Sequence, residues 1–234
     1  MNITLVTPTC DRPEAFELCE KWMSRQTVPI HQWIVLDDGV NPAKCTMGQV
    51  HMRFGDDTRG SYSLVRKIRA LMKNPQIITG DAIAFIEDDD WYSKDYLQVA
   101  ASRLGDYNDM IGEAYALYYN VRDSHWHLHT NDRHASFCQT VLKRSFFPEL
   151  LRVVKDDSNP FIDVRLWGET DPSLKRTIYL PDPKPTLVGI KGIYAGYGIG
   201  HTRRLANYDG GGQKLRELIG PDAQEYRKFR PTGL

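Results

Sequence analysis

Two clusters of acidic residues have a spacing that could hold a metal ion. Asp37-Asp38 follows the apolar run Trp33–Leu36, and Glu87–Asp90 follows the apolar run Ala82–Ile86. Such continuous apolar runs are typical of strands buried on both faces of a sheet. Ligands of open α/β sheets bind beyond the carboxyl ends of those strands. Adjacent carboxylates there repel one another unless a cation shares the charge, so the pattern predicts Mg²⁺ or Mn²⁺ together with the phosphates of a nucleotide.

Each cluster also has a plainer interpretation. For Asp37-Asp38 taken alone we favour a turn after a strand, because Asp and Gly are common turn residues. For Glu87–Asp90 the alternative is a solvated acidic turn or a cap for the following helix. Because both clusters follow buried strands, the pair favours the metal site over two unrelated turns.

The residues around these clusters predict alternating strands and helices. Ile3–Thr7 is a short β-rich strand, and Asp11 followed by Glu14 resembles a capping box that opens a helix. This helix ends near Thr27–Pro29, and its apolar face carries Phe16, Cys19, Trp22 and Met23. Ser61–Lys73 predicts a second helix, whose polar face carries Arg66, Lys67 and Arg69.

The later part of the chain predicts further elements. Ser93 could cap a helix that runs through Leu104. After Ala114 we expect antiparallel or mixed strands that extend the same sheet, over Tyr115–Val121, Trp126–Thr130 and Phe137–Leu142. Two more helices are predicted, near Phe147–Val154 and over Gln213–Ile219. The whole pattern predicts an α/β fold around an open, largely parallel sheet.

The composition favours a compact, soluble protein. A chain of 234 residues fits one α/β domain. Lys and Arg number 30, as do Asp and Glu, which excludes a uniformly charged surface made for nucleic acid or anionic membranes. No apolar run reaches the ~20 residues of a membrane span, and the first apolar stretch is too short for a signal peptide. We therefore expect a cytoplasmic protein without a membrane span, whose four cysteines are free thiols.

The order and spacing of five segments resemble the nucleotide-binding half of a family 2 glycosyltransferase with the GT-A fold. These segments are Thr7-Pro8-Thr9, Asp11-Arg12, Gln26-Thr27, Ile34–Gly39 and Phe85–Trp91. The resemblance implies an α/β GT-A (Rossmann-like) mixed sheet flanked by helices, and a single domain over residues 1–234. Within it, residues 1–105 would bind the nucleotide sugar, 106–200 the acceptor, and 201–234 would form a tail or lid.

The resemblance also implies roles for individual residues. Asp38 would accept the uracil N3–H of a UDP-sugar, and Arg66 stands near the diphosphate. The donor-binding residues it implies are Thr7, Thr9, Asp11, Asp38, Arg66, Asp88 and Arg203. The ligands it implies for Mn²⁺ or Mg²⁺ are Asp88, Asp89, Asp90 and His201. The chain departs from the usual form at Glu87, which is the first acidic position of the run.

A glycosyltransferase that inverts configuration needs a carboxylate base for the acceptor hydroxyl. Asp163-Val164-Arg165-Leu166-Trp167 resembles the segment whose Asp is that base in the family, and we favour Asp163. Glu169 is the second candidate, and an ordinary helix-start Asp after Asn159-Pro160 is the alternative interpretation of Asp163.

Two histidine motifs have open interpretations. His201, reached through the run Gly196–Gly200, could supply a metal ligand or a phosphate donor, with a solvated tail residue as the equal alternative. His125, His127 and His129 alternate along a predicted strand and share one face, an arrangement that can bind zinc. We favour the polar face of an edge hairpin for this triplet, because no carboxylate or Cys at ligand spacing completes a zinc site.

Charge is unevenly distributed, and this bears on the acceptor. Residues 51–73 hold six basic and two acidic side chains, and residues 201–234 hold seven basic and four acidic ones. Compact enzymes of this kind resemble phage-encoded transferases that glycosylate hydroxymethylated pyrimidines in DNA, and the two basic segments could follow the phosphates. A base in a duplex would have to be flipped out to reach the metal site. A saccharide or a surface polymer precursor is the alternative acceptor.

Two other functions are compatible with the same pattern. A sugar-phosphate nucleotidyltransferase uses similar carboxylates and metals, but it usually carries a Gly-rich phosphate loop after the first strand, and Pro8–Pro13 is not one. A non-catalytic module that binds nucleic acid or sugar would need no metal-dependent turnover.

Overall fold

The computed structural model, which describes residues 1–181, 184–194 and 206–230, contains two mixed β-sheets flanked by helices. The strands are β1 (Ile3–Thr9), β2 (Gln32–Asp37), β3 (Val50–Arg53), β4 (Ala82–Phe85), β5 (Trp91–Tyr92), β6 (Met110–Glu113), β7 (Tyr115–Asn120), β8 (His125–Thr130), β9 (Thr140–Lys143), β10 (Arg176–Tyr179), β11 (Leu187–Lys191) and β12 (Asn207–Tyr208). The α-helices are α1 (Pro13–Ser24), α2 (Ser63–Met72), α3 (Tyr96–Leu104), α4 (Phe147–Val153), α5 (Ile162–Gly168) and α6 (Gln213–Ile219).

The first sheet brings the ends of the early strands together. Its order is β10-β6-β9-β4-β1-β2-β3. β1 is parallel to both β2 and β4, and Thr9 is in register with Asp37. Only β9 runs antiparallel to its neighbours β4 and β6. The predicted α/β fold with a mixed sheet flanked by helices is confirmed, and the carboxyl ends of β1, β2 and β4 share one edge.

The second sheet corrects the prediction that the later strands extend the first one. Its order is β12-β8-β7-β11-β5, and it takes β7 and β8, whereas β6, β9 and β10 join the first sheet. β6 ends at Glu113 and β7 starts at Tyr115, so the chain changes sheets across the single residue Ala114. Glu113-Ala114-Tyr115, where the switch occurs, contains no Gly or Pro that would signal a turn in the sequence. β5 directly follows Asp90 and pairs with β11, so the second sheet is joined to the acidic run.

Several predicted caps and boundaries are wrong. Arg12, not Asp11, precedes the first turn of α1, because Pro13 opens this helix and Asp11 turns its carboxylate to the backbone N–H groups of Val40 and Asn41. α3 begins at Tyr96, three residues after Ser93, and no side chain caps it. The predicted strand Phe137–Leu142 begins as a 3-10 turn, Phe137–Gln139, before β9.

Apolar faces of the helices cover both sides of the first sheet. The four apolar residues predicted for α1 are all buried: Phe16, Cys19, Trp22 and Met23. The indole of Trp22, 0% exposed, donates a hydrogen bond to the hydroxyl of Tyr226 at 3.0 Å. Helices α2, α4 and α5 pack in a second apolar cluster on the other side of the sheet. Burial of one large apolar side chain stabilises a fold by ~1.5–3 kcal/mol, so these faces fix the strands that carry the acidic clusters.

The C-terminal 3-10 segment Gly220–Phe229 contacts the residue that follows the acidic run. The carboxylate of Asp222 accepts the indole N–H of Trp91 at 2.8 Å and pairs with Arg25 at 2.6 Å. The guanidinium of Arg25 also lies over the ring of Trp22. Trp91 is the residue after Asp90, so the end of the chain positions the backbone of the acidic run.

The described residues contain no helix with both the length and the apolar character that a bilayer span requires. The four cysteines carry free thiols, with Cys19 and Cys138 buried and Cys10 and Cys45 half-buried.

Candidate active site

Asp88 is held by the loop that follows β1. The hydroxyl of Thr9 donates to Asp88 Oδ2 at 2.7 Å, and Arg12 Nη1 donates to Asp88 Oδ1 at 3.0 Å. The same Arg12 nitrogen lies 3.7 Å from Asp89. Burial raises the pKa of Asp88 to about 6, against the opposing charge of Arg12 and with a further contribution from Asp89. The predicted donor residues Thr9 and Asp88 therefore lie in contact, and Arg12 joins them.

Lys191 lies among the other three carboxylates of the run. Its Nζ is 2.9 Å from Asp90 Oδ1, 3.3 Å from Glu87 Oε2 and 3.4 Å from Asp89 Oδ1. The backbone N–H of Ile190 also donates to Asp90 Oδ1, at 3.0 Å. The pKa of the Lys191 ammonium is raised well above its usual range, because the carboxylates outweigh the effect of burial. The last residue of β11 thus neutralises part of the acidic run.

The oxygen donors of the run fit a hard divalent cation. Asp90 Oδ2 is buried and has no hydrogen-bond partner, and burial with the nearby carboxylates raises the pKa of Asp90 well above its usual range. Ligand atoms of Glu87, Asp90 and Cys138 lie within 4.8 Å of one another. Mg²⁺ and Mn²⁺ prefer carboxylate oxygens to a thiol, so Glu87, Asp89 and Asp90 would hold the ion. Asp88, a predicted ligand, faces Thr9 and Arg12 instead.

The second acidic cluster serves two different purposes. Asp38 has no exposed surface, and its oxygens accept hydrogen bonds from Ser63 Oγ at 2.6 Å and Lys67 Nζ at 2.8 Å. Asp37, equally buried, accepts two backbone N–H groups, from Gly39 and Ala43, and pairs with His51 and Arg53. These contacts lower the pKa values of both carboxyls against the opposing effect of burial. Asp37 therefore fixes the turn, and Asp38 lies buried just beyond the carboxyl end of β2.

Two other predicted donor residues have local partners. The hydroxyl of Thr7 accepts the indole N–H of Trp33 at 2.9 Å and is fully buried between β1 and β2. Asp11, in the left-handed backbone region with φ 49°, ties the loop after β1 to the backbone of Val40 and Asn41. Both residues shape the loop next to the acidic run.

Arg66 has its partners outside the acidic run. Its Nε donates to Asp157 Oδ2 at 2.7 Å, and its Nη1 donates to the carbonyls of Asp57 and Arg59. Arg69, on the same helix, also pairs with Asp157. The neighbouring Lys67, predicted for the polar face, is 3% exposed and reaches Asp38 and the carbonyl of Thr9. The cation that α2 contributes to the carboxyl ends of β1 and β2 is therefore Lys67.

Asp163 lies in the first turn of α5, and a close contact sets the position of this helix. A Cβ at Gly112 would lie 2.6 Å from the Trp167 ring, so only glycine lets α5 approach β6 this closely. The Trp167 indole donates to the hydroxyl of Thr140 at 3.0 Å. Burial raises the pKa of Asp163, which His134 opposes and Glu87 reinforces through their charges. Asp163 thus lies near enough to the acidic run for Glu87 to act on its ionisation.

Glu169, the second predicted base, caps the other end of α5. Its Oε2 is 3.3 Å from Arg165 Nε and 3.9 Å from Arg152 Nη1, and 49% of the side chain is exposed. The two candidate bases therefore differ in their surroundings. The remaining predicted site residues, His201 and Arg203, lie outside the described residues.

The histidine triplet lies on the face of the second sheet that also carries Lys191. Register pairs His127 with Tyr118, His125 with Asn120, and Tyr118 with Gly189, two residues before Lys191. His127 is buried with its Nε2 unpartnered, and burial with His129 lowers its pKa. β12 pairs with β8, so the predicted edge position is wrong over Asn207–Tyr208. Among the described residues, no cluster of metal-ligating groups includes these histidines.

The basic segment 51–73 is largely neutralised by the chain itself. Five of its six basic residues pair with carboxylates, namely Arg53 with Asp37, Arg59 with Asp56, Lys67 with Asp38, and Arg66 and Arg69 with Asp157. In the C-terminal segment, Arg216, Arg227 and Arg230 line one cavity of about 100 Å³, and none of them is ion-paired with a described residue. Of these two basic segments, the C-terminal one therefore has more described side chains without an ion pair.

Three important residues were not predicted for the site: Arg12, Lys67 and Lys191. Arg12 lies inside a quoted motif, next to Asp11, and that adjacency was a usable signal. Lys191 ends the apolar run Leu187–Ile190, as the acidic clusters end theirs, so the same strand-end pattern could have identified it. Lys67 gives no such signal. Helical periodicity places it on the polar face of α2 with Arg66 and Arg69, where all three would be expected to face solvent.

The fold that these elements define is the GT-A fold of glycosyltransferases. S. aureus TarS matches with a TM-score of 0.56 at 9% identity, over 82% of this chain and 37% of that one. TarS 1–349 in complex with UDP-GlcNAc matches with a TM-score of 0.55 at 10% identity, over 84% and 60%. The mannosyltransferase PcManGT from Pyrobaculum calidifontis, in complex with GDP-Man and Mn²⁺, matches with a TM-score of 0.53 at 14% identity, over 82% and 57%.

These likenesses establish the fold alone. Sequence identities this low do not assign a role to any individual residue. No family model and no curated protein sequence matches the chain. The chain spans less than two thirds of each of these matched chains, between 37% and 60% of their length. The GT-A fold inferred from the five sequence segments is confirmed, and the solved neighbours are nucleotide-sugar glycosyltransferases.

Proposed function

We propose that this chain is a metal-dependent glycosyltransferase that moves a sugar from a UDP-sugar to an acceptor hydroxyl with inversion of configuration. The observation that carries the proposal is the grouping of carboxylates at the carboxyl edge of a GT-A sheet, where Asp38 and Glu87–Asp90 follow β2 and β4 and Asp163 lies close enough for Glu87 to affect its pKa. We treat residues 1–234 as one domain, in which 1–105 bind the donor, 106–200 the acceptor, and 201–234 form a tail or lid.

The donor would lie between the ends of β1, β2 and β4. Asp38 has no exposed surface here, so it would accept the uracil N3–H only after the side chains that cover it, such as Ser63 and Lys67, have moved aside. Arg12, one third of whose side chain is exposed, would reach the diphosphate from its position beside Asp88. Glu87, Asp89 and Asp90 would hold Mg²⁺ or Mn²⁺, which when bound neutralises charge on the leaving diphosphate.

Asp163 would act as the base. As the acceptor oxygen bonds to the anomeric carbon, the bond from that carbon to the diphosphate oxygen breaks and the hydroxyl proton passes to the Asp163 carboxylate. Asp163 is half-buried, and this desolvation raises its pKa, which makes the carboxylate a stronger base than a solvated Asp. Glu169 lies at the other end of α5, where it forms ion pairs with Arg165 and Arg152.

For the acceptor we propose a hydroxymethylated pyrimidine in DNA, with a saccharide or polymer precursor as the second candidate. The paired charges of 51–73 leave phosphate contacts to the C-terminal segment, where Arg216, Arg227 and Arg230 lie together. Any DNA-binding path would therefore run along α6 and Gly220–Phe229 rather than along α2.

The test is a nucleotide-sugar panel with release of free nucleoside diphosphate as the readout. UDP-sugars and GDP-mannose are compared with Mn²⁺, with Mg²⁺ and in EDTA, each with hydroxymethylated DNA, unmodified DNA or a saccharide mixture. We expect metal-dependent UDP release that hydroxymethylated DNA stimulates and Asp89→Ala abolishes. Pyrophosphate release from UTP and a sugar phosphate would instead indicate a nucleotidyltransferase. Absence of hydrolysis, transfer and UDP binding would refute the proposal, and the anomeric configuration of the product decides between inversion and retention.

A further inference from the structure

A lysine ammonium occupies the centre of the carboxylate cluster that would hold a metal. Lys191 Nζ lies within 3.4 Å of one oxygen from each of Glu87, Asp89 and Asp90, and the residue is 8% exposed. It reaches the cluster from β11, 101 residues after Asp90. The position is defined by three ion pairs and is not a solvated surface contact.

Lys191 is the cation on which this part of the cluster depends. Arg12 approaches the run from the other side and pairs with Asp88 at 3.0 Å and Asp89 at 3.7 Å. Among the described residues, Lys191 alone forms an ion pair with Glu87 or Asp90. Buried carboxylates without a counter-charge are strongly destabilising, so the metal-free cluster is held together by this ammonium.

A divalent ion would need the same oxygens. Mg²⁺ binds carboxylate oxygens at roughly 2.0–2.1 Å, whereas Lys191 Nζ already lies 2.9 Å from Asp90 Oδ1 and 3.3 Å from Glu87 Oε2. Two cations cannot share these oxygens without strong repulsion at such separations. The backbone of Lys191 is fixed, since its carbonyl accepts the Val121 N–H at 2.8 Å. Only the flexible side chain can move away.

We propose that Lys191 is the resident cation of the cluster and that a divalent metal enters only by displacing its ammonium. The displaced ammonium then pairs with the diphosphate of the nucleotide, which is the anion that arrives at the same place. Metal and nucleotide therefore bind cooperatively, each weakly alone. This inference rests on the proposed nucleotide-sugar function of the cleft, but its test measures binding and needs no turnover.

The first experiment measures Mn²⁺ affinity from the electron paramagnetic resonance signal of the free ion, with and without UDP. For the wild type we expect weak Mn²⁺ binding that UDP tightens by about tenfold or more. Lys191→Met should bind Mn²⁺ alone about tenfold more tightly and lose most of the UDP effect, because the competitor and its phosphate contact are both gone. Lys214→Met, a matched change of a lysine that pairs with Glu217 on the surface, should behave like the wild type.

The second experiment uses only the wild-type chain, in case Lys191→Met does not fold. Lysines are reductively methylated and mapped by mass spectrometry in the absence of metal, with Mg²⁺, and with Mg²⁺ plus UDP. Lys191 should be protected without metal, modified with Mg²⁺ alone, and protected again with UDP, while Lys67 stays protected and Lys214 is modified throughout.

Equal Mn²⁺ affinity of the wild type and Lys191→Met, or Lys191 labelling that ignores Mg²⁺, overturns the inference. If both experiments give the expected result while the nucleotide-sugar panel shows no transfer, the displacement mechanism stands and the glycosyltransferase proposal fails.

Discussion

The ammonium of Lys67 lies 2.8 Å from Asp38 Oδ1, and both side chains are almost completely buried, with 4% and 0% of their surfaces exposed. The same nitrogen donates to the carbonyl of Thr9 at 3.1 Å. One cation from α2 therefore joins the carboxyl ends of β1 and β2. The carboxyl ends of these two strands are joined by a buried ion pair that solvent does not screen.

Lys67→Met should destabilise the protein by about 3–5 kcal/mol, because it leaves the Asp38 carboxylate buried without its partner. Urea unfolding monitored by tryptophan fluorescence gives the free energy of unfolding. Lys73→Met, at the exposed end of the same helix, serves as the control and should stay within about 0.5 kcal/mol of the wild type. The double variant Lys67→Met with Asp38→Asn should recover part of the loss. Equal effects of Lys67→Met and Lys73→Met would contradict the assignment.

Arg12 and Arg66 form a matched pair for donor binding. Arg12→Met should raise the KM for the nucleotide sugar by about tenfold, since one charge-assisted contact to the diphosphate is lost. Arg66→Met should leave that KM unchanged within about twofold and lower the melting temperature instead, because Arg66 pairs with Asp157. Steady-state kinetics and thermal unfolding of both variants check this. If Arg66→Met raised KM more than Arg12→Met does, Arg66 and not Arg12 would be the residue that contacts the diphosphate.

Asp163 and Glu169 can be separated as base candidates. Asp163→Asn should lower kcat by about 10²–10⁴-fold while UDP affinity stays the same, as expected for loss of a general base. Glu169→Gln breaks partly exposed pairs with Arg165 and Arg152 and should change kcat by no more than about threefold. Turnover and UDP titrations are measured for both. The opposite order of the two kcat losses would make Glu169 the base.

Glu113 predicts a pH dependence of stability. It is 2% exposed, one of its oxygens has no partner, and burial raises its pKa to about 7. The pKa of Glu113 is about 7 in the folded chain and 4.5 in the unfolded chain, so the folded state binds more protons between pH 4.5 and about pH 7. Stability from this group therefore falls as pH rises from roughly 4.5 to 7 and stays low above that.

Glu113→Gln should remove this dependence. Relative to the wild type, the variant should gain about 2–3 kcal/mol of unfolding free energy between about pH 5 and pH 8. Urea unfolding at both pH values measures the difference, and the exposed Glu17→Gln is the control. Parallel pH curves for Glu113→Gln and the wild type would show that Glu113 does not titrate in this range.

The acidic run and its strand could be predicted from sequence because both depend on neighbours along the chain. An apolar run followed by carboxylates marks a buried strand and its end without reference to distant residues. Arg66 and Lys67 show where that approach stops. They are adjacent, so about 100° of helix rotation separates them. Lys67 reaches Asp38 and Arg66 reaches Asp157, and both partners lie far from α2 along the chain. No local pattern contains that choice.

The division into two sheets was unpredictable for a related reason. Strand patterns identified β7 and β8, but pairing is decided by partners far along the chain, such as β11 for β7. The position of Asp163 likewise depends on Trp167 lying over Gly112, more than fifty residues earlier.

The contact of Trp91 with Asp222 also has a consequence for biosynthesis. The indole and the carboxylate are 131 residues apart in sequence, and Lys191 is 101 residues from Asp90. While the chain is being made, the acidic run leaves the ribosome long before either partner exists. Its carboxylates therefore have no contact with Lys191, and Trp91 none with Asp222, until β11 and Gly220–Phe229 have been synthesised. The contacts that Lys191 and Asp222 make around the acidic run therefore form only after the chain has been synthesised at least to residue 222.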